Sequence, residues 1–387
     1  MKRSEGRILT THAGSLPRGA ELLRLMIALS KREPVDAGAL EREIAGALRH
    51  VVDRQLEVGI DVGNDGEQSR ESFFTYVQHR LSGFAGESDR PIMRDLVAFP
   101  SFVASKMPDL IGKPMVSLIR APKAVGEVRH LGLGPLEREL DAFAQALGDR
   151  AFEESFWTAA TPGIVACAML DEHHGSYERY VTALADALRP EYAAIVARGY
   201  VLQLDAPDLA MERHTSYADR PIDDFLAFVE TNVAAINRAT EGLPADRIRL
   251  HVCWGNYEGP HHLDVPMREI LAVVHRARVG AISLPFANPR HEHEWRVLEE
   301  LPPPDGRLVV AGVIDTTTNY VEHPEVVADR IERVARALGD PTRVLAGTDC
   351  GFGTAAGLGE VAEEVVWEKL AALRAGAELA SRRLFRA

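Results

Sequence analysis

Cysteine is scarce in this chain: its 387 residues include three, Cys167, Cys253 and Cys350. Thiols so few and so widely spaced exclude a disulfide framework and point to a reducing compartment, read here as the cytoplasm. Long apolar runs are missing as well. No stretch approaches the roughly 18 uninterrupted apolar residues of a membrane span, and the N-terminal MKRSEGRILTTHAGSLPR has basic residues but no apolar core. The sequence therefore predicts neither a transmembrane helix nor a signal peptide. Positive charge is not concentrated anywhere, and the formal net charge is -13. That excludes a surface built for nucleic acid or anionic membrane, because counterion release needs clustered Lys and Arg. The partner class left is a small molecule.

What the chain does have is apolar content, 46% of residues, enough for a large buried core. Apolar, β-branched runs ending in polar or glycine residues mark eight candidate strands. They are residues 59–67, 124–130, 156–163, 199–207, 247–256, 281–288, 307–316 and 343–351. Helix-compatible stretches lie between them, such as YERYVTALADALRPEYAAIVARG before the fourth and HPEVVADRIERVARALGD before the eighth. Eight alternations of strand and helix predict an α/β fold, the closed parallel (β/α)8 TIM barrel. No linker or low-complexity segment interrupts it, so residues 1–387 are taken as a single domain, with a helical N-terminal segment (1–55) feeding the first strand.

Residue chemistry concentrates at the predicted strand ends. In RLHVCWGN, His251 and Cys253 are two apart, which in a strand points both side chains to the same side. Cys350, in VLAGTDCGFGT, ends another strand, and a barrel gathers the carboxyl ends of its strands around one mouth. One nitrogen and two sulfurs suit Zn2+ and leave a fourth position for substrate. A lone His-x-Cys in a strand is more often packed core than ligand; Cys350 before glycine at a second strand end shifts that balance. Cys167, within IVACAML, reads as core.

Carboxylates stand at other strand ends: Glu67 in NDGEQSR, Asp205 in LQLDAPDL and Asp315 in GVIDTTTN. At that end of a barrel such residues read as binding or catalytic, while helix capping is the competing account, strongest for Asp315. In THAGSLPR, Ser15 and nearby backbone N–H groups could grip a carboxylate, or the segment is simply a turn. His12 in the same segment and Asp315 are the catalytic candidates, and Asp315 and Asp349 are candidates to orient ligands from behind.

Together these motifs resemble the cobalamin-independent methionine synthase catalytic domain and its shorter single-barrel relatives, which include epoxyalkane:coenzyme M transferase-like proteins. The resemblance runs through THAGSLPR, DGEQSR with YVQHRLSGF, LQLDAP, LHVC, ANPRHEHEW, GVIDTTTNYVEHPE and GTDCGFGT, in that order. It implies a zinc-dependent barrel in which His251, Cys253 and Cys350 hold the metal, Ser15 helps hold an amino-acid carboxylate, and Glu67 and Asp205 hold its ammonium. The implied activity is transfer of a methyl or alkyl group to a zinc-bound, homocysteine-like thiolate, as in a 5-methyltetrahydropteroyltriglutamate–homocysteine methyltransferase. Two acids favour a zwitterionic acceptor, whereas the sulfonate of coenzyme M would call for Arg or Lys.

The chain departs from that family in three places. Pro285 stands where methionine synthases have a glutamate as a further zinc ligand, with Glu258, Glu292 and Glu294 the acids available to replace it from loops. Ala206 replaces a second acid. Thr317 replaces a histidine thought to donate a proton, which matters because a folate donor leaves as an amine that must be protonated. Two alternatives therefore stay open: a thiol alkyltransferase or lyase acting on an epoxide-like electrophile, and a barrel that binds zinc or ligand without catalysis.

Overall fold

The computed structural model describes residues 1–111 and 114–385. Eight parallel strands form the barrel: β1 (Leu9–Thr10), β2 (Val62–Gly63), β3 (Glu154–Ala160), β4 (Val201–Asp205), β5 (Ile248–His251), β6 (Ala281–Pro285), β7 (Leu308–Ile314) and β8 (Val344–Thr348). Neighbours pair in chain order from β2 to β8, β8 pairs with β1, and a parallel bridge from Thr11 to Val62 closes the ring. The (β/α)8 expectation holds. Among the described residues no helix is long and apolar enough to cross a membrane.

One strand assignment is corrected. Residues 124–130 do not enter the barrel; Lys123–Ala124 pairs antiparallel with Phe84–Ala85 in a small ribbon outside it. Ala124 and Val128 are buried there while Val125 is 46% exposed, so the run packs one side against the core without joining the barrel ladder. The missing strand is β1, inside the segment expected only to feed the barrel. It pairs over two residues, too few for any periodic signal. The rest of that segment is helical as anticipated: α1 (Ala20–Ser30) and α2 (Ala37–Glu57), the latter capped by the Asp36 carboxylate on the Gly38 and Ala39 N–H groups.

Alternation along the strands sorts the interior into layers. The lowest is apolar, with Leu9, Val62, Phe156, Val201, Ala281, Leu308, Val310 and Leu345 in one cluster. Two residues further along, Gln203 and Arg249 make a polar layer. The Arg249 guanidinium lies 3.6 Å from the Phe156 ring centroid and donates to Gln203 Oε1, Thr11 Oγ1 and the His12 carbonyl. Another two residues along, the register aligns Asp205 with His251 and His251 with Ser283. Counting by two along β6 from Ala281 also brings Pro285 to the inward side at the mouth.

Outside the barrel, a second and much larger apolar core joins the strands to α3 (Pro162–Ala168), α4 (Tyr177–Ala197), α5 (Pro324–Leu338) and α6 (Glu363–Leu384). Within it α6 buries a charge: Lys369, fully buried, pairs with Glu322 at 2.9 Å. The other Glu322 oxygen accepts the Asp315 N–H, so this ion pair holds the loop after β7 at the barrel mouth. Removing one partner of a buried pair leaves an uncompensated charge, costing about 3–5 kcal/mol. Lys369→Met is therefore expected to lower stability by that order in a denaturant titration. A loss below about 1 kcal/mol would show that the pair does not anchor the loop.

Candidate metal centre and its cavities

His251 ends β5, Cys253 follows two residues later, and Cys350 follows the end of β8 by two. Their ligand atoms lie within 4.8 Å of one another, the only such group among the described residues that could hold a metal. The sulfurs of Cys253 and Cys350 are 3.5 Å apart. A tetrahedral zinc with Zn–S near 2.3 Å sets two sulfurs roughly 3.5–4 Å apart.

The surroundings also fit a metal. His251 Nδ1 faces the Ser283 hydroxyl at 3.3 Å, while Nε2 is buried without a partner. An orphaned imidazole nitrogen aimed at two sulfurs is what a metal would satisfy, and Ser283 orients the ring from behind. The Gly255 N–H donates to Cys253 Sγ at 3.3 Å. Without a cation the two sulfurs compete for one charge. The Cys350 thiol, His251 and Gly255 N–H drive Cys253 below the usual thiol range, and that neighbour together with burial holds Cys350 above it. A dication would let both ionise.

The three loop acids that could supply a fourth ligand are engaged elsewhere. Glu294 accepts the Met267 N–H and pairs with His291, Glu292 binds Arg333, and Glu258 pairs with Lys106. His251, Cys253 and Cys350 are thus the group left, among the described residues, that could hold a metal.

Two cavities meet at this centre, sharing Cys253, Gly255, Asn256, Tyr257 and Cys350. The first, of about 270 Å³, contains Ser15, Glu67, Asp205 and His251 at one end. Asp205 Oδ1 accepts from Gln203 at 2.7 Å. Thr158 donates to Glu67 Oε1 at 2.9 Å, and Glu67 Oε2 is buried without a partner. Burial pushes the Asp205 carboxyl up to about 7, with Glu67 adding repulsion, and burial raises Glu67 as well. Two buried acids, one with an orphaned oxygen, could form a seat for a cation.

Backbone geometry is spent on that seat. Glu67 has φ of 58°, a left-handed conformation costing a non-glycine residue on the order of 1 kcal/mol or more. Gly14 must lack a side chain, since a Cβ there would lie 2.7 Å from Glu67 Oε1 and 2.6 Å from Thr158 Cγ2. Ser15 Oγ accepts from Gly353 N–H at 3.3 Å, which leaves its hydroxyl hydrogen for a ligand.

The other catalytic candidates sit differently. His12 is 1% exposed and does not line either cavity; its Nε2 meets Gln55 Oε1 at 2.8 Å and its Nδ1 accepts the Gly14 N–H. Burial holds its pKa down to about 4, so the ring is neutral and fixes the turn that carries Ser15. Asp315 lines the second cavity, of about 240 Å³, but its carboxylate accepts from Thr317 N–H, Thr317 Oγ1 and Thr318 Oγ1. Asp349 accepts four N–H donors from Phe286, Ala287 and Asn288, tying β6 to β8. Cys167 lies buried in α3 with its sulfur 3.6 Å from the Tyr177 hydroxyl.

Two groups escape a reading of the sequence alone. Asp264 accepts from His261 and His291, each at 2.9 Å, and His291 also meets Glu294 at 2.7 Å. This buried network stiffens the second cavity's wall; its only sequence signal is the density of His and acidic residues in GPHHLD and RHEHEW. The other group is an apolar wall of the first cavity, with Met115, Val116, Leu118 and Ile119 beside Phe73, Phe74 and Met93.

Residues 8–95 and 140–372 match the sequence family described as cobalamin-independent synthase, catalytic domain. A methionine synthase of Sulfolobus acidocaldarius is 25% identical over 346 residues, which cover 89% of this chain and 85% of that protein. A 5-methyltetrahydropteroyltriglutamate–homocysteine methyltransferase of a Chelativorans species is 24% identical over 352 residues, 89% of this chain and 39% of that longer protein. Among solved structures, a B12-independent methionine synthase of a Shewanella species is similar in fold, with a TM-score of 0.72 at 23% identity, covering 98% of this chain and 99% of that one.

Proposed function

Because the chain belongs to the cobalamin-independent synthase catalytic-domain family, we propose that it transfers a methyl or alkyl group to the thiol of a homocysteine-like amino acid. His251, Cys253 and Cys350 are the residues that would hold zinc for this reaction. The observation that carries the reading is the joining, in one cavity, of the orphaned His251 Nε2 and paired sulfurs with the acids Glu67 and Asp205. Zinc bound there supplies the chemistry that keeps an acceptor thiol ionised at neutral pH. Glu67 and Asp205 hold the acceptor's ammonium, and Ser15 donates to its carboxylate, so the thiol end reaches the sulfurs. His12 supports this as a positioning residue, locking the Ser15 turn onto α2. Asp315 positions Thr317 and Thr318 at the other cavity.

Coenzyme M is disfavoured as acceptor, because Arg90 is the one cation lining the first cavity among the described residues and it is tied to Glu212. We take the whole chain to act as one barrel unit on small molecules. Two thiols in a metal site need a reducing compartment, which supports the cytoplasm as its place of action.

The test is incubation of the zinc-replete protein with homocysteine and methyltetrahydrofolate, with methionine quantified by mass spectrometry. Methionine well above a no-enzyme control is expected if folate is the donor. Its absence would overturn the folate reading and leave alkyl transfer from another electrophile. One observation favours that second reading: at the position of the family's histidine, Thr317 spends both its N–H and its hydroxyl on Asp315. A donor that leaves without needing a proton fits such a site better.

A further inference from the structure

The cavity at the metal centre is larger and more apolar than a methyl group requires. From the acid pair and the sulfurs it extends, without a break, to a wall made by Phe73, Phe74, Met93, Met115, Val116 and Leu118. Its volume of about 270 Å³ is nearly twice the ~150 Å³ dry cavity that suffices to hold benzene. On the same scale, an amino-acid thiol of eight heavy atoms at the acid end leaves space on the order of three to four carbon atoms beyond the sulfur. Met115 to Leu118, part of this wall, lie between the two stretches matched by the family model, residues 8–95 and 140–372.

We propose that this chamber accepts an uncharged, apolar alkyl group of a few carbons on the acceptor's sulfur, so that the thioether bound best is bulkier than methionine. The inference rests on the amino-acid thiol reading above and adds to it the class of substituent. Its charge follows from the lining. Arg90, the one cation there among the described residues, has its guanidinium committed to Glu212, and the acids lie at the opposite end, where the ammonium sits. Its size follows from the volume, because an apolar group in an apolar chamber gains affinity for each methylene it buries until space runs out.

Isothermal titration calorimetry of the zinc-replete protein with methionine, ethionine, S-butyl-homocysteine and S-benzyl-homocysteine tests this without turnover. Burial of a methylene is worth about fourfold in affinity. S-butyl-homocysteine is therefore expected to bind on the order of 50-fold more tightly than methionine. Met115→Trp, a partly exposed lining residue whose replacement fills the chamber, is expected to remove that advantage while leaving methionine affinity within about twofold. Its zinc content and circular dichroism would report that the fold is intact. Should methionine bind but affinity stay flat or fall from methionine to S-butyl-homocysteine, the chamber is not the substituent's site and the inference fails alone. If none of the four thioethers binds the zinc-replete protein, the amino-acid thiol reading fails with it.

Discussion

Cys350→Ser is expected to strip the protein of zinc and to lower thiol alkylation about 10³-fold or more. The serine hydroxyl keeps its proton at neutral pH, and the substitution leaves one thiolate and one imidazole where the geometry offers three ligands. With a fourth protein ligand, some occupancy would survive the loss of one. Here β6 brings Pro285 to the mouth and Glu258, Glu292 and Glu294 are engaged elsewhere, so nothing compensates. A bound metal supplies several kcal/mol of charge stabilisation, which is the source of the expected rate loss. The fold should persist, because Cys350 lies beyond the end of β8 and takes no part in its ladder. Metal analysis of protein purified without added zinc is the measurement, with Cys167→Ser as control, since Cys167 sits in α3. About one zinc per chain is expected in the parent and in Cys167→Ser, and close to none in Cys350→Ser. Zinc retained by Cys350→Ser would end the assignment of this ligand set.

The cluster of His251, Cys253 and Cys350 was readable from sequence because its signal is local. A period of two along β5, and the rule that barrel strands converge at their carboxyl ends, bring His251, Cys253 and Cys350 together without knowledge of any loop. Seven of the eight strands were visible for a similar reason: β3 to β8 are apolar, β-branched runs, and β2 lies within the expected strand 59–67. What was hidden depends on contacts between distant segments. β1 is a strand only because β8 pairs with it, with Val62 bridging the next residue, Thr11. His12 reads as a catalytic candidate in THAGSLPR, yet it is buried, with Gln55 of α2 meeting its Nε2. The chamber wall comes from an irregular stretch, where apolar residues follow no period that would announce a face. The departures were readable as residues, yet their consequence was structural: β6 brings Pro285 to the mouth, and Thr317 turns its donors onto Asp315 instead of substrate.

Asp205→Asn and Glu67→Gln should each weaken binding of homocysteine by roughly 30-fold to several thousand-fold while changing mercaptoethanol affinity far less. Losing one member of a buried charge pair costs about 2–5 kcal/mol in binding, and only the thiol that carries an ammonium makes the pair. Both variants preserve the hydrogen bonds that shape the seat, since an amide oxygen still accepts from Gln203 or Thr158. Stability should move the other way for Asp205→Asn. In the free protein Asp205 is a buried carboxyl raised to about 7 by burial and by Glu67, so its ionised form is costly to keep. Neutralising it removes that cost, and the variant should unfold at an equal or higher denaturant concentration than the parent at neutral pH. Such a pairing, affinity lost while stability is kept or gained, is expected of a residue whose charge serves a ligand rather than the fold. Equal weakening for both thiols would refute the ammonium assignment. A clear loss of stability with no selectivity between thiols would instead make Asp205 part of the barrel's polar interior, continuous with Gln203 and Arg249 below it.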